Sequence, residues 1–244
     1  MLTAYQNATA ALLQNPPAPN PLYATANLTT YINTARGQLC GEAECVVYMG
    51  ALALTPGVQT YSFSAITFSA SSAVTGLQGP LNIRTAWRNV ASGLAWMRPR
   101  PFPWFALYEL NQAVPIPGPP AIWAQYGQGA TGTIFVSPVP DAAYTLVLDT
   151  VCYPIPLVDD TTAEAIPYMW TDAVPFFAAF YALLGAQTVA RDADADKMFQ
   201  RYQQFVQRAR SASTPSVLSG IYDQQPSIVR QGQLGQQGGG APPQ

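Results

Sequence analysis

A few groups of side chains in this 244-residue sequence have the types that chemistry requires. Glu42 with Glu44, and Asp159-Asp160 with Glu164, are compact acidic groups. Paired carboxylates hydrolyse glycosidic bonds when they face one another about 5 to 9 Å apart. These groups fall at junctions of loop and helix, where an acidic side chain serves first as a cap for unpaired backbone amides. Cys40-x4-Cys45 resembles half of a metal site, but without a histidine or a second cysteine pair a zinc ion lacks ligands. Cys40, Cys45 and Cys152 therefore read as small buried apolar residues, and their odd number fits a reducing compartment. Gly127-Gln-Gly129 lacks the lysine and the following helix of a phosphate loop and reads as a turn. The sequence contains no histidine, which removes Ser–His and Cys–His nucleophilic mechanisms. The expectation is a protein with no catalytic residues, no metal and no cofactor; a hydrolase using Asp159 or Glu164 is the chemical alternative.

Composition limits the partners. Charged residues make up 10% of the chain, against about 25% in an average soluble domain. A surface this poor in charge fits a protein largely covered by partners; the alternative is a secreted domain rich in Thr and Gln. The net charge is -2 and Lys197 is the sole lysine, so the basic footprint of a nucleic-acid binder is missing. Such a chain can still line a path through which DNA slides without being held. Met1–Tyr5 has no basic region ahead of an apolar run, so no leader peptide is expected. The most apolar stretch, Val174–Leu184, is shorter than the roughly 20 residues that span a bilayer.

The elements that position these residues follow from spacing. Tyr5, Ala8 and Leu12 predict a first helix, stopped by Pro16-Pro17. Leu28, Tyr31, Ile32, Ala35 and Leu39 predict a second over about Tyr23–Leu39, ending at Gly37 or Gly41. From Val46 to Tyr153 the pattern turns to period two, with strand candidates at Gln59–Ser64, Leu81–Thr85, Leu94–Met97 and Ile122–Tyr126. Arg98–Pro103 is too proline-rich for the interior of a sheet and reads as an edge or a loop. Trp104–Leu110 fits a short strand and a helical turn equally. Thr133–Tyr153 reads as a strand, a proline-bracketed turn and a second strand. Asp172 is placed to cap a helix from Ala173 to Ala190, with Pro175 in its first turn. Asp192, Asp194 and Asp196 open another helix, carrying Met198, Tyr202, Phe205 and Ala209 on one face. The short joint near Arg191 makes the two an antiparallel hairpin. The expected fold class is α+β. A helical bundle of the N-terminal helices (1–45) and the hairpin (157–213) carries an inserted β-sandwich or barrel-like domain (46–156). An extended tail (214–244) of Gln, Gly, Pro and Ser follows, whose composition predicts order only on a partner.

Trp87, Trp96, Trp104, Trp123 and Trp170 read as core or interface anchors, with a sugar-stacking face as the alternative. Arg84, Arg88, Arg98 and Arg100 read as ion-pairing residues rather than as a face for DNA.

Four stretches carry a family resemblance: Leu28–Gly37 (LTTYINTARG), Thr133–Tyr144 (TIFVSPVPDAAY), Leu157–Asp160 (LVDD) and Pro167–Pro175 (PYMWTDAVP). Together with the order of elements over about residues 20–215, they resemble the head-to-tail adaptor (connector) proteins of tailed bacteriophages, the short-tailed type in particular. The resemblance implies a structural virion protein of the neck, assembled in the host bacterial cytoplasm, with no membrane association. It implies a dodecameric ring beneath the portal protein that joins the head to the tail nozzle or tail fibre proteins, with double-stranded DNA passing through without specific binding. It implies a C-terminal segment that docks on the portal, for which Ile221, Tyr222, Ile228, Val229 and Arg230 are candidates. The family supplies no catalytic residues. From the sequence itself, Phe177, Tyr181, Arg201, Tyr202 and Arg208 are candidates for the subunit interface. Trp87, Trp96, Arg98, Arg100 and Trp104 are candidates for the tail-side surface. A carbohydrate-binding β module of a phage tail is the other reading.

Overall fold

The structure, a computed structural model, describes residues 1–16, 21–68, 76–112, 116–185 and 189–213. Its helices are α1 (Leu2–Leu12), α2 (Thr25–Ala43), α3 (Phe102–Tyr108), α4 (Ala173–Leu184) and α5 (Val189–Ser213). Its strands are β1 (Val47–Leu54), β2 (Thr60–Ser62), β3 (Thr67–Phe68), β4 (Leu77–Val90), β5 (Gly93–Trp96) and β6 (Arg98–Pro99), then β7 (Pro117–Gly118), β8 (Ile122–Tyr126), β9 (Thr133–Ser137), β10 (Val139–Pro140) and β11 (Tyr144–Pro154). The class is α+β. A five-stranded sheet runs β3-β1-β11-β4-β5, a four-stranded sheet runs β2-β9-β8-β6, and β7 pairs with β10. Among the described residues no sheet closes into a barrel.

Alternation along the strands builds the core between the two sheets. Leu52 and Leu54 of β1, Ile83 and Ala86 of β4, and Leu146 and Leu148 of β11 meet Trp123 of β8 and Ile134 and Val136 of β9. A second core gathers α1, α2, α4 and α5 around Ile32, Leu39, Ala178 and Tyr202. Helices α4 and α5 are antiparallel: Phe176 meets Phe205 at 5.8 Å, Phe177 meets Tyr202 at 4.8 Å and Phe180 meets Phe199 at 4.7 Å between ring centroids. The three long strands serve both cores. Strand β11 contributes Leu148 to one and Cys152 to the other. Leu77 and Ile83 divide in the same way on β4, as do Val46, just before β1, and Leu52 within it.

The segment between β11 and α4 is stitched to α2. Asn33 acts as a short length of strand: its Nδ2 donates to the Leu157 carbonyl at 3.0 Å and its Oδ1 accepts from the Leu157 amide at 2.8 Å. Arg36, 1% exposed, donates to both Glu164 carboxylate oxygens, with Nη2 to Oε1 at 2.7 Å, and to the Ile155 carbonyl at 2.6 Å. Glu164 also accepts from the Ile166 amide at 3.0 Å. A guanidinium removed from water requires this many acceptors, because an unpaired buried charge costs several kcal/mol. Gly76, at φ +117°, lies against the same segment: a Cβ there would meet the Ala163 carbonyl oxygen at 2.7 Å.

Several local expectations are revised. Helix α2 runs through Gly37 and Gly41 and ends at Glu44, which takes the left-handed cap conformation at φ 50°. The buried face of α1 is Leu2, Tyr5 and Thr9, continued by Leu13; Leu12 packs part-buried against the same core, and of the predicted stripe only Ala8 is exposed. Trp104–Leu110 resolves in favour of helix, as the body of α3. The strand at Gln59–Ser64 shortens to β2, because at Phe63 the chain turns into a 3-10 segment that buries the ring against Gly132, whose absent Cβ would lie 2.4 Å from it. Asp172 occupies the N-cap position of α4 but makes no capping bond. It is itself helical in φ and ψ, and a 3-10 turn over Tyr168–Trp170 leads the chain in, so that the Val174 amide donates to the Thr171 carbonyl instead. Helix α4 ends at Leu184, short of Ala190. The strand, turn and strand expected over Thr133–Tyr153 are present as β9 and β11, and they belong to different sheets, so the proline-rich turn between them is a crossing.

Replacing Arg36 with Met strands the Glu164 carboxylate and is expected to cost about 3–5 kcal/mol in chemical denaturation. Adding Glu164→Leu to that variant should restore most of the loss, because both charges then leave the interior together.

Candidate functional site

The acidic groups are occupied with structure. Asp159 accepts from the amides of Thr161 and Thr162, each at 2.9 Å, and from both hydroxyls. These hydrogen bonds, the Thr161 hydroxyl first, hold its carboxyl below the usual range. Asp160 accepts from the Met1 ammonium at 2.7 Å and from the amide and hydroxyl of Thr3, and is held lower still. A general acid needs its pKa raised toward neutrality, and these two move the other way. Their bonds contribute fully to stability above the ordinary carboxylate range and are lost as pH falls through the depressed values. Glu164 is committed to Arg36, and Glu42 accepts from the Tyr202 hydroxyl at 2.9 Å. Asp149 is pushed up by burial, opposed by Arg84 at 3.5 Å. Among the described residues no group of three or more His, Cys, Asp or Glu side chains converges as a metal site.

The cysteines lie inside. Cys40 and Cys152 are 0% and Cys45 is 7% exposed. Donation to the Cys45 sulfur, and burial after it, push the Cys40 thiol up, while Cys45, the acceptor, is lowered by the same interaction. Burial pushes Cys152 up to about 11. Gly127-Gln-Gly129 is a turn, with both glycines at positive φ, 75° and 60°.

The tail-side candidates Trp87, Trp96, Arg98, Arg100 and Trp104 divide between two opposite faces of the β layers. Trp87 and Trp96 are cross-strand partners on β4 and β5. Since Ala86 and Met97 point into the inter-sheet core, the two tryptophans lie on the outer face of the five-stranded sheet. Arg98 pairs in register with Ile122 on edge strand β6, while the neighbouring Trp123 points into the core, so Arg98 faces outward from the four-stranded sheet. Arg100 lies over the Trp104 ring at 4.9 Å, at the start of α3. Helix α3 packs on that same outer face: Phe102 and Phe105 meet Phe135 of β9 at 5.0 and 5.9 Å. Arg84 pairs with Asp149, and Arg88 lies 5.2 Å from the Tyr144 ring centre. Trp123 is a core residue and Trp170 packs against the helical core.

Two of the proposed interface residues are corrected. Phe177, 8% exposed, and Tyr202, 0% exposed, belong to the chain's own helical core and are not available to a neighbour. Both lie on the faces along which α4 and α5 bury one another. Tyr181 is 46% exposed, Arg201 and Arg208 are exposed, and Arg201 lies 5.5 Å from the Phe205 ring centre. Ile221, Tyr222, Ile228, Val229 and Arg230 lie outside the described residues. Sequence reading overlooked Arg36, although its place among Ile32, Ala35 and Leu39 sets it on the buried face of α2. It also overlooked the outward face of α3, where Leu107 is 61% and Tyr108 56% exposed.

The polar clusters of this α+β body tie its own segments together, and several large apolar side chains lie exposed. The chain belongs to the SU10 adaptor protein family, whose model matches residues 2–225. It is thus a phage adaptor, a structural component of the virion. No curated protein matches it. Among the described residues no helix is long and apolar enough to cross a membrane.

The buried thiols give a test. Cys40 and Cys152 should react with a thiol reagent at least about 100-fold more slowly in the native chain than in denaturant, as the opening of a packed core requires. Rapid native labelling of either, located by mass spectrometry, would contradict their burial.

Proposed function

We propose that the chain is the repeating subunit of a ring that connects the portal to the tail nozzle of a short-tailed phage, lines part of the DNA channel and carries out no catalytic step. Membership of the adaptor family across residues 2–225 carries this reading. The exposed apolar side chains and the 10% share of charged residues support it, since a ring subunit covers much of its surface with neighbours. The weak net charge of -2 suits a channel wall that neither holds nor strongly repels passing DNA.

The segment 214–244 is the portal-docking element. Its apolar pairs, Ile221-Tyr222 and Ile228-Val229, separated by Asp, Gln, Pro and Ser, are the contacts it offers to the portal. Ser213, the last described residue before it, donates its hydroxyl to the Ala43 carbonyl at 2.7 Å. Exposed Tyr181, Arg201 and Arg208 on the α4–α5 hairpin are subunit-contact residues of the same ring.

Truncation after Ser213 tests the reading. The shortened chain should keep its unfolding free energy within about 0.5 kcal/mol, because both described cores lie within residues 1–213. It should fail to join filled heads to tails in a complementation assay, with virion yield falling to background. Normal joining by the truncated chain would remove the tail from the mechanism.

A further inference from the structure

The end of α2 folds two cysteines onto one another. Cys40 lies in the last turn of the helix, and Cys45 is the second residue beyond it, shortly before β1. Between them Glu44 takes the left-handed conformation at φ 50°, and its amide donates to the Cys40 carbonyl at 3.1 Å. A left-handed residue at this position turns the chain back across the last helical turn. Glycine is the usual occupant, because an L side chain is strained there, so at Glu44 the turn is held by its surroundings. One of those holds is visible on the sheet side: the Cys152 amide donates to the carbonyl of Val46, the neighbour of Cys45, at 2.8 Å. The two sulfurs are thereby brought into hydrogen-bond contact, Cys40 donating and Cys45 accepting. Cys152 stands apart from the pair, with its sulfur 3.4 Å from the Thr150 hydroxyl. Among the described residues no three His, Cys, Asp or Glu side chains converge, so Cys40 and Cys45 form a dithiol and not part of a larger ligand set.

We propose that Cys40 and Cys45 are a site of oxidative modification, closing to a disulfide when the chain meets a peroxide. Cys45 is the point of entry, since it is 7% exposed and Cys40 is 0%. Accepting from Cys40 also favours its thiolate, the reactive form. The Cys45 sulfur attacks one peroxide oxygen, the O–O bond breaks, and the departing hydroxide takes up the Cys45 proton as water. Cys45 is then a sulfenic acid. The Cys40 sulfur attacks it, the S–S bond forms, the S–O bond breaks, and a second water leaves with the Cys40 proton. Two thiols have lost two electrons and one peroxide has become two waters. The bond ties the last turn of α2 to the approach to β1, at the passage from the helical core to the sheets. A virion component spends part of its existence outside the cell, beyond the glutathione that keeps thiols reduced. The site depends on the local fold alone and stands whether or not the chain forms a ring.

Peptide mapping tests it, because Glu42 and Glu44 lie between the two cysteines. The native full-length chain is treated with hydrogen peroxide, its remaining thiols are alkylated in denaturant, and a glutamate-specific protease cuts it. The Cys40 and Cys45 peptides should be recovered joined, with a loss of two hydrogens from their summed mass, and should separate on reduction. Cys152→Ser should leave the link unchanged. Cys45→Ser should abolish it and keep Cys40 as a free thiol under the same treatment; should that variant not fold, the map of the unsubstituted chain decides alone. Recovery of both cysteines alkylated from the native chain, or a link that forms only in denaturant, overturns the site. So does a link of either cysteine to Cys152 or between copies, or a Cys45 that passes to sulfinic acid with Cys40 still free.

Discussion

The buried guanidinium of Arg36 is the interaction on which the arrangement of this chain most depends. It lies on the apolar face of α2, where a charge is tolerated only with a complete set of acceptors. Besides Asn33 Oδ1 on the same helix, at 3.3 Å, those acceptors come from the segment that follows β11: the Ile155 carbonyl and the Glu164 carboxylate. Asn33, one turn earlier on the same helix, fixes Leu157 on the same segment. The route from the sheets into the α4–α5 hairpin is therefore set by two side chains of a helix more than a hundred residues upstream. Such a pair contributes specificity of path more than net stability, since well-packed apolar residues of similar volume can do as well energetically.

Much of the architecture was legible because it rests on local periodicity. The helices at the two ends, the strand candidates at Leu81–Thr85, Leu94–Met97 and Ile122–Tyr126, and the edge position of Arg98-Pro99 follow from spacing and from proline's missing amide. What periodicity does not encode is partnership. The alternation in β9 and β11 marks both as strands, but says nothing of their belonging to different sheets, because a period of two is satisfied by any neighbour. The early turn at Phe63 depends on the space left by Gly132, a contact across 69 positions of sequence. Asp172 shows the opposite failure: the right residue type at the right position forms no cap, because the preceding 3-10 turn has already supplied the bond.

The candidate site was legible in part. That the carboxylates are structural followed from their places at junctions, and the pKa directions of Asp159 and Asp160 agree with that role. The interface candidates fared unevenly, since an aromatic residue at helical spacing looks the same whether it faces a neighbouring helix of its own chain or of another. Phe177 and Tyr202 face inward, whereas Tyr181, one turn along from Phe177, is half-exposed. Burial is decided by which helix packs beside which.

The division of β1, β4 and β11 between two cores has a mechanical consequence. A load applied lengthwise between the helical end and the sheet end of the molecule runs along these strands. Their antiparallel ladders then bear it in shear, with many hydrogen bonds stretched together, and cannot be opened one after another as a zipper is.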